Sequence, residues 1–190
     1  MKKWTVHPIN RPLKGSIELP GDKSLSHRAA IFALLSEGTS KIMNFLKSED
    51  CLNTLEITRE LGAKIKKSSD GTFTVKGRGI HGLTPPKKML YCGNSGTTMR
   101  LMTGLLSGQT FNSRLDGDKS LRSRPMDRIT KPLSKMGAEI TGSHERVQAP
   151  LKVTGKKLTA VSYRMTIPSA QVKSCLLLAA LYTEGKTLIT

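Results

Sequence analysis

Three segments of the chain resemble one another in sequence, and this internal repeat restricts the fold more than any other feature. Each segment begins with a polar turn and continues as an apolar run. The turns lie at residues 20–28, 92–100 and 168–174, and the apolar runs end at 34–39, 105–110 and 181–186. Because the turns are about 75 residues apart, the repeat is too long for an ordinary solenoid unit and predicts a small α/β module that is used more than once.

The first module is predicted to have the element order βαβαββ. Alternation of apolar and polar residues indicates its strands, and apolar residues at helical spacing indicate its helices. Asp22 or Ser24 is a suitable N-cap for the first helix, and Gly38 is a suitable stop. The predicted elements are, in order, a strand at 15–19, a helix at 22–37, a strand at 40–45, a helix at 48–62 and a hairpin at 63–67 and 72–75.

The second module repeats this order, and the third repeats it only in part. Pro125 is a favoured residue for a first helical turn, and Gly137 is a suitable stop. The predicted elements are helices at 96–106, 125–137 and 169–183, a hairpin at 138–142 and 151–155, and strands at 162–167 and 187–189. The sequence therefore predicts an α/β (α+β) domain of repeated βαβαββ units, two complete and a third truncated. We expect the chain to be one piece of a longer protein.

The polar turns predict a shared anion-binding pocket. Free backbone N–H groups and the helix dipole favour negative charge at a helix N-terminus, and these turns are rich in Ser, Thr, Lys, Arg and Gly. The sharpest set is Lys23, Ser24 and Arg28, because Arg28 lies one helical turn after Ser24 on the same face. An ordinary Ser cap on a solvated first turn is the alternative for this set alone.

The second and third turns carry weaker signals of the same kind. Residues 93–98 form a glycine- and hydroxyl-rich turn that matches neither a Walker motif nor a dinucleotide fingerprint. Arg124 precedes a proline-led helix and is well placed to clamp a carboxylate or phosphate, although a basic stretch such as 114–128 is usually a solvated face. Ser169 and Gln171 open the third helix, where they can donate hydrogen bonds to phosphate oxygens or act as caps.

The net charge calls for an anionic partner. The chain has 190 residues, with 31 Lys and Arg against 14 Asp and Glu, and a formal charge of +17. Nucleic acid, an anionic membrane and a small polyanionic substrate all fit this charge. Aromatic residues make up only 4%, and the sequence has no recognised nucleic-acid motif and no apolar stretch of signal-peptide or membrane-span length. We therefore predict a cytoplasmic protein that binds small anions and neither nucleic acid nor a membrane.

Cysteine and histidine usage argues against disulfides and metal sites. Cys51, Cys92 and Cys175 are widely spaced and occur in no paired motif, which is typical of a reducing compartment. Cys92 and Cys175 are predicted to be buried. The histidines, at positions 7, 27, 81 and 144, have no Cys or carboxylate partners at ligand spacing. We predict no metal site and no catalytic triad, and we expect His27 to support the first polar turn.

Four blocks of the sequence carry a resemblance to a known family. The blocks are Leu-Pro-Gly-Asp-Lys-Ser-Leu-Ser-His-Arg at 19–28, Gly-Asn-Ser-Gly-Thr-Thr-Met-Arg at 93–100, Arg-Ser-Arg-Pro-Met-Asp-Arg at 122–128 and Ser-Ala-Gln-Val-Lys-Ser at 169–174. In this order and spacing they resemble the 5-enolpyruvylshikimate-3-phosphate synthase family. The resemblance implies two similar domains, each of three βαβαββ units, with the active site in the cleft between them. It also implies that residues 1–19 belong to a second, absent domain, and that 20–190 are the first domain, incomplete at its C-terminal end.

The resemblance implies a reaction of the shikimate pathway, which leads to chorismate and the aromatic amino acids. The enolpyruvyl group of phosphoenolpyruvate moves to the 5-hydroxyl of shikimate 3-phosphate, and phosphate is released without a cofactor. Lys23 is implied to contact both substrates and to be catalytic. The implied ligands of shikimate 3-phosphate are Ser24, Arg28, Ser169 and Gln171, the last also near phosphoenolpyruvate. The implied ligands of phosphoenolpyruvate are Gly96 and Arg124, with Asn94 shaping the loop.

The chain differs from the family in two ways: some family residues are absent from it, and others are altered. The acid–base carboxylates of the family lie in the other domain, so this chain alone is expected to be inactive without its missing C-terminal domain. Some members carry Ser where this chain has Ala170 and Pro where it has Leu101. Ala170 and the Gln-Val-Lys-Ser continuation at 171–174 resemble the bacterial branch that is less sensitive to glyphosate.

Other readings of the sequence remain open. An enolpyruvyl transferase acting on UDP-N-acetylglucosamine shares the fold but lacks the Lys-Ser-x-Ser-His-Arg block. A related fold serves RNA 3′-phosphate cyclisation, which needs a nucleotide site and a catalytic His that are not visible here. A non-catalytic basic module that binds anions or nucleic acid is the alternative from a different class.

Overall fold

The computed structural model describes residues 3–143 and 147–190. Within these residues the chain forms six helices and eleven strands. The helices are α1 (Lys23–Leu35), α2 (Glu49–Glu60), α3 (Gly96–Ser107), α4 (Lys119–Arg122), α5 (Asp127–Lys135) and α6 (Ala170–Ala180). The strands are β1 (Thr39–Ile42), β2 (Lys64–Lys67), β3 (Phe73–Lys76), β4 (Leu90–Tyr91), β5 (Ser113–Asp116), β6 (Glu139–Ser143), β7 (Gln148–Thr154), β8 (Leu158–Thr159), β9 (Ser162–Tyr163), β10 (Thr183–Glu184) and β11 (Leu188–Ile189).

Side-chain caps fix the starts of the helices that follow the three polar turns. Asp22, Ser95 and Ser169 each accept a hydrogen bond from the backbone N–H three residues further on, at 2.7, 3.1 and 3.4 Å respectively. Such caps satisfy N–H groups that have no partner inside the helix. The helices predicted after these turns are therefore confirmed, and α6 ends at Ala180, earlier than predicted.

The sheets contain the two predicted hairpins. The first sheet has the order β1-β3-β2 with antiparallel neighbours, and the second has the order β4-β5-β7-β6. In the second sheet β4 is parallel to β5, and the remaining neighbours are antiparallel. The order β5-β7-β6 thus matches the order β1-β3-β2. Two short parallel pairs, β8 with β10 and β9 with β11, form near the C-terminal end of the chain.

Some predicted elements differ from the structure. The predicted strand at 15–19 is wrong: this segment forms no strand, and Ile17 is 82% exposed. A strand needs a hydrogen-bonding neighbour, and β1 lies at the edge of its sheet with only β3 beside it. The first βαβαββ unit therefore lacks its first strand. The strand predicted at 162–167 is limited to β9, and the short helix α4 was not predicted.

Helix α3 lies at the centre of the apolar core and packs tightly against α6. Nearly all residues of α3 are buried. Gly104 allows the close approach, because a Cβ at this position would lie 2.2 Å from the carbonyl oxygen of Cys175. Cys51, Cys92 and Cys175 are buried free thiols, as predicted for the last two. Among the described residues no helix is both long enough and apolar enough to cross a membrane.

Candidate functional site

The starts of three helices meet at one small cavity. Ser24, Thr97 and Gln171, the second residues of α1, α3 and α6, all line a cavity of about 70 Å³. The other lining residues are Arg28, Leu101, Ala170 and Ser174. The structure therefore brings together Ser24, Arg28 and Gln171, which come from the first and third polar turns, and adds Thr97 from the second.

Lys23 directly precedes Ser24 in α1, and its ammonium group is held by a carboxylate. Its ammonium group forms an ion pair with Asp50, in the first turn of α2. The Lys23 side chain is 51% exposed, so the ammonium remains accessible to a ligand. Asp50 was not identified from the sequence, because the contact joins two helices.

The second polar turn positions Arg124 through an amide relay. The Arg124 guanidinium donates to Oδ1 of Asn94 at 2.6 Å, and Nδ2 of Asn94 donates to Asp118 at 2.8 Å. This bond from Asn94 is the main reason that the pKa of Asp118 lies below its ordinary value. Asn94 thus orients Arg124 and also joins the turn to the start of α4.

Gly96 lies between two guanidinium groups. A Cβ at Gly96 would lie 2.6 Å from Nη1 of Arg100 and 3.4 Å from Nη1 of Arg124. A side chain here would push on both cations, so the glycine keeps open the space between them.

Arg100 connects the second polar turn to the third. Its Nη1 donates to Oε1 of Gln171 at 2.9 Å, and Nε2 of Gln171 donates to the Thr97 hydroxyl at 3.0 Å. Burial lowers the pKa of Arg100, and nearby Arg124 and Arg128 lower it further. Three like charges close together favour an anion between or beside them.

Three cations of the site, Arg28, Arg100 and Arg124, form no ion pair in the part of the chain that the structure describes, whereas Lys23 is paired with Asp50. Donors from three helix starts and these three guanidinium groups together can hold oxyanions and exclude cations.

Two sequence neighbours of the site lie outside the cavity. Ser169 caps α6 and lines a separate cavity of about 210 Å³ together with Arg128. Arg122 lies two residues before Arg124, but its guanidinium pairs with the buried Asp116. Within the basic stretch 114–128, Arg124 therefore belongs to the candidate site, whereas Arg122 pairs with a buried carboxylate of the fold.

Comparison with known proteins connects this geometry to a family. The family model described as EPSP synthase (3-phosphoshikimate 1-carboxyvinyltransferase) matches residues 8–190. The chain belongs to the EPSP synthase family. A 3-phosphoshikimate 1-carboxyvinyltransferase of Geobacter sp. (strain M21) is 48% identical over 189 residues, covering 100% of this chain and 44% of the relative. One from Bacillus anthracis is 47% identical over 190 residues, with the same two coverages.

A solved EPSP synthase has the same fold. The structure of EPSP synthase from Acinetobacter baumannii matches with a TM-score of 0.89 and 47% identity, covering 93% of this chain and 40% of that chain. This likeness confirms the α/β character predicted from the sequence. The chain spans less than half the length of the EPSP synthase relatives that it matches.

The described part of the chain offers no cluster of metal ligands. No group of three or more His, Cys, Asp or Glu is placed there to hold a metal ion. His144, which the sequence analysis assigned to no metal site, lies outside the described residues. Thr97 and Arg100 were not identified as site residues, although both lie within the 93–100 block that carries the resemblance to the EPSP synthase family.

Behind the cavity, a buried chain of hydrogen bonds joins α1, α2 and α3. Nδ1 of His27 lies 2.7 Å from the Thr54 hydroxyl, which lies 2.7 Å from the Thr98 hydroxyl. Thr98 in turn donates to the Ser95 hydroxyl at 2.7 Å. These bonds connect His27 of α1 to Ser95, the cap of α3, and the expected role of His27 in supporting the first polar turn stays a prediction.

Acid is expected to destabilise the chain through His27. Burial lowers the pKa of this imidazole from 6.5 to about 4, with the Lys23 ammonium acting in the same direction and Asp50 opposing. The unfolded chain therefore binds the proton more readily than the folded chain does, and protonation favours unfolding. The contribution of His27 to the free energy of unfolding is complete above pH 6.5 and falls by about 3 kcal/mol as the pH is lowered to about 4. Urea unfolding of the chain at several pH values measures this slope, which is the change in the free energy of unfolding with pH.

A variant isolates the contribution of His27. His27→Asn keeps a polar atom near Thr54 but does not titrate, so its unfolding free energy should depend less on pH between 6.5 and 4. His81→Asn, at an exposed histidine, is the matched control and should keep the slope of the original chain. An equal slope for His27→Asn and the original chain would contradict the assignment.

Proposed function

We propose that this chain carries one half of the active site of an enolpyruvyl transferase. The complete enzyme transfers the enolpyruvyl group of phosphoenolpyruvate to the 5-hydroxyl of shikimate 3-phosphate and releases phosphate. Membership of the EPSP synthase family supports this proposal, as does the name 3-phosphoshikimate 1-carboxyvinyltransferase that its relatives carry. We also propose a cytoplasmic location, in keeping with a pathway of small soluble metabolites.

One observation carries the proposal: three helix starts line a single cavity with hydrogen-bond donors, and Arg28, which also lines it, has no carboxylate partner in the described residues. Both substrates are anions that repel each other in water. A site with fixed positive charge cancels this repulsion and holds the reacting atoms together, which lowers the barrier.

The proposed roles follow the positions of the side chains. Ser24, Arg28 and Gln171 bind shikimate 3-phosphate at the cavity, and Lys23, the residue before Ser24, contacts both substrates. Ser169 acts from the adjoining cavity at the cap of α6. Gly96, Asn94 and Arg124 serve phosphoenolpyruvate: the glycine leaves space beside the guanidinium, and the amide orients it.

The remaining parts of the proposal concern the length of the relatives that this chain does not cover. We propose that residues 1–19 belong to a second domain and that this domain supplies the acid–base carboxylates. The chain alone then binds substrate but does not turn over. Ala170, Gln171 and Ser174 line the cavity, which supports the proposal of reduced glyphosate sensitivity.

Calorimetric titration of shikimate 3-phosphate into the chain tests the proposed function. We expect binding well above that of inorganic phosphate at near-physiological salt, because the cavity also offers hydroxyl and amide partners. Arg28→Ala should weaken this binding by about tenfold or more, since it removes a charged hydrogen-bond donor. Lys41→Ala, on the exposed face of β1, is the matched control and should leave binding unchanged.

The same titration separates the proposal from a basic nucleic-acid module. One exposed face of the first sheet carries Lys41, Lys64, Lys66 and Lys76, with Lys64 directly opposite Lys76. This face gives the second candidate a structural basis. Affinity for an RNA oligonucleotide that exceeds the affinity for shikimate 3-phosphate and falls steeply with salt would overturn the proposed function.

A further inference from the structure

We infer that Arg100 is a positioning residue that sets the direction of the hydrogen bonds at the cavity. Through it, Gln171 and Thr97 present donors to a bound oxyanion. The identity of the anion, shikimate 3-phosphate, rests on the proposed function. The direction of the bonds rests on the contacts alone.

The direction follows from the chemistry of arginine. A guanidinium can only donate hydrogen bonds, so the atom of Gln171 that faces Arg100 at 2.9 Å must be the oxygen Oε1. The nitrogen Nε2 then faces the Thr97 hydroxyl at 3.0 Å and donates to it. Arg100 thus removes the ambiguity between the two ends of the amide.

Two donors are left free by this arrangement. An amide nitrogen carries two hydrogens, and Thr97 uses only one of them. The Thr97 hydroxyl oxygen accepts from Gln171, so its own proton is available to another acceptor. Both side chains line the cavity, together with the hydroxyls of Ser24 and Ser174 and the guanidinium of Arg28. A cavity surrounded by donors matches the oxygens of a phosphate or carboxylate.

The neighbouring arginines do not share this task. Arg124 is committed to Asn94, and Arg128 lines the separate cavity beside Ser169. Arg100 is also the cation nearest to the position that a Cβ of Gly96 would occupy, and its Nη1 would lie 2.6 Å from that Cβ. The glycine therefore leaves room for the guanidinium in the orientation that reaches Gln171.

Four variants of the chain test the inference by calorimetry with shikimate 3-phosphate. Arg100→Lys keeps a donor-only cation and should bind within about threefold of the original chain. Arg100→Met frees the amide and should lose about tenfold. Arg100→Glu offers an acceptor, so the amide turns, its Nε2 faces position 100, and binding should fall to the level of inorganic phosphate. Arg128→Met removes a nearby equal charge without touching Gln171 and should lose less than about threefold.

The side-chain amide signals of Gln171 give a second readout in the ligand-free chain. In ¹H–¹⁵N spectra these signals should be similar in the original chain and in Arg100→Lys, and should shift in Arg100→Met and further in Arg100→Glu. Thermal unfolding of each variant shows whether it is folded, and the Lys and Met variants keep the test informative if the Glu variant unfolds.

The outcomes separate this inference from the proposed function. Equal losses of affinity for Arg128→Met and Arg100→Met would mean that only charge matters, which overturns the inference. Gln171 signals that are insensitive to position 100 would overturn it as well. If the original chain does not bind shikimate 3-phosphate but the Gln171 signals follow the expected order, the proposed function fails and the positioning role stands.

Discussion

The substitution Gly104→Ala is expected to lower the free energy of unfolding by about 3 kcal/mol. The added Cβ would lie 2.2 Å from the carbonyl oxygen of Cys175 and 2.9 Å from its Sγ. The first of these atoms belongs to the backbone of α6, so the strain can be relieved only if the two helices move apart. Alanine favours a helix over glycine by about 1 kcal/mol, which offsets part of the strain but not all of it.

Urea unfolding measures this change, and another glycine provides the control. Gly38 follows α1 and has a φ angle outside the left-handed region. No other atom lies within 4 Å of the position that a Cβ would occupy there. Gly38→Ala should therefore be neutral or slightly stabilising. Equal unfolding free energies for the two alanine variants would show that α3 and α6 are not in close contact at Gly104.

The second large effect is expected for Arg122→Met, which should lower the free energy of unfolding by clearly more than the loss of an exposed ion pair does, because it removes the cation that faces a buried carboxylate. Asp116 is only 1% exposed and is held by the Arg122 guanidinium, with Nε 2.8 Å from Oδ1. The N–H of Gly117 donates a further bond to the same carboxylate. Removing the arginine leaves a buried negative charge with this single neutral donor.

The pH dependence of the Arg122→Met effect has a definite sign. Burial raises the pKa of Asp116, but the bonds from Arg122 and Gly117 outweigh burial and hold the pKa below its ordinary value. Without Arg122 the effect of burial dominates, and the folded variant binds a proton more readily than the unfolded chain does. The loss of stability relative to the original chain should therefore shrink as the pH falls towards about 4.

A surface pair provides the control for this substitution. Arg59 pairs with Glu56 on α2, and both side chains are substantially exposed. Arg59→Met should change the unfolding free energy by less than about 1 kcal/mol, since exposed ion pairs contribute little. A similar loss at both positions, or a loss at Arg122 that does not vary with pH, would contradict the role assigned to Asp116.

Local sequence signals predicted the helices and hairpins because their causes are local. Asp22, Ser95 and Ser169 cap the helices that follow the polar turns, and capping depends on residues three positions apart. The meeting of three helix starts at one cavity was also predicted, because an internal repeat places equivalent residues in equivalent positions. The binding roles of the residues at that cavity stay predictions.

The features that were missed depend on contacts between distant segments. The strand at 15–19 has the right alternation but no partner strand in the described structure, and alternation cannot supply one. Arg122 and Arg124 are almost adjacent in sequence, yet one pairs with Asp116 and the other with Asn94. The Arg100–Gln171 bond joins two different helices, so no local pattern indicates it.

The buried hydroxyl pair formed by Thr54 and Thr98 limits which substitutions can accumulate during evolution. The two threonines lie on different helices, and their oxygens are 2.7 Å apart in the core. Each also has a partner outside the pair, because Thr54 contacts Nδ1 of His27 and Thr98 donates to Ser95. Replacing both threonines by valine would therefore leave the buried His27 imidazole without its partner, which is costly in the core. The histidine and the two threonines are expected to be inherited as a unit, although 44 positions of sequence separate the threonines.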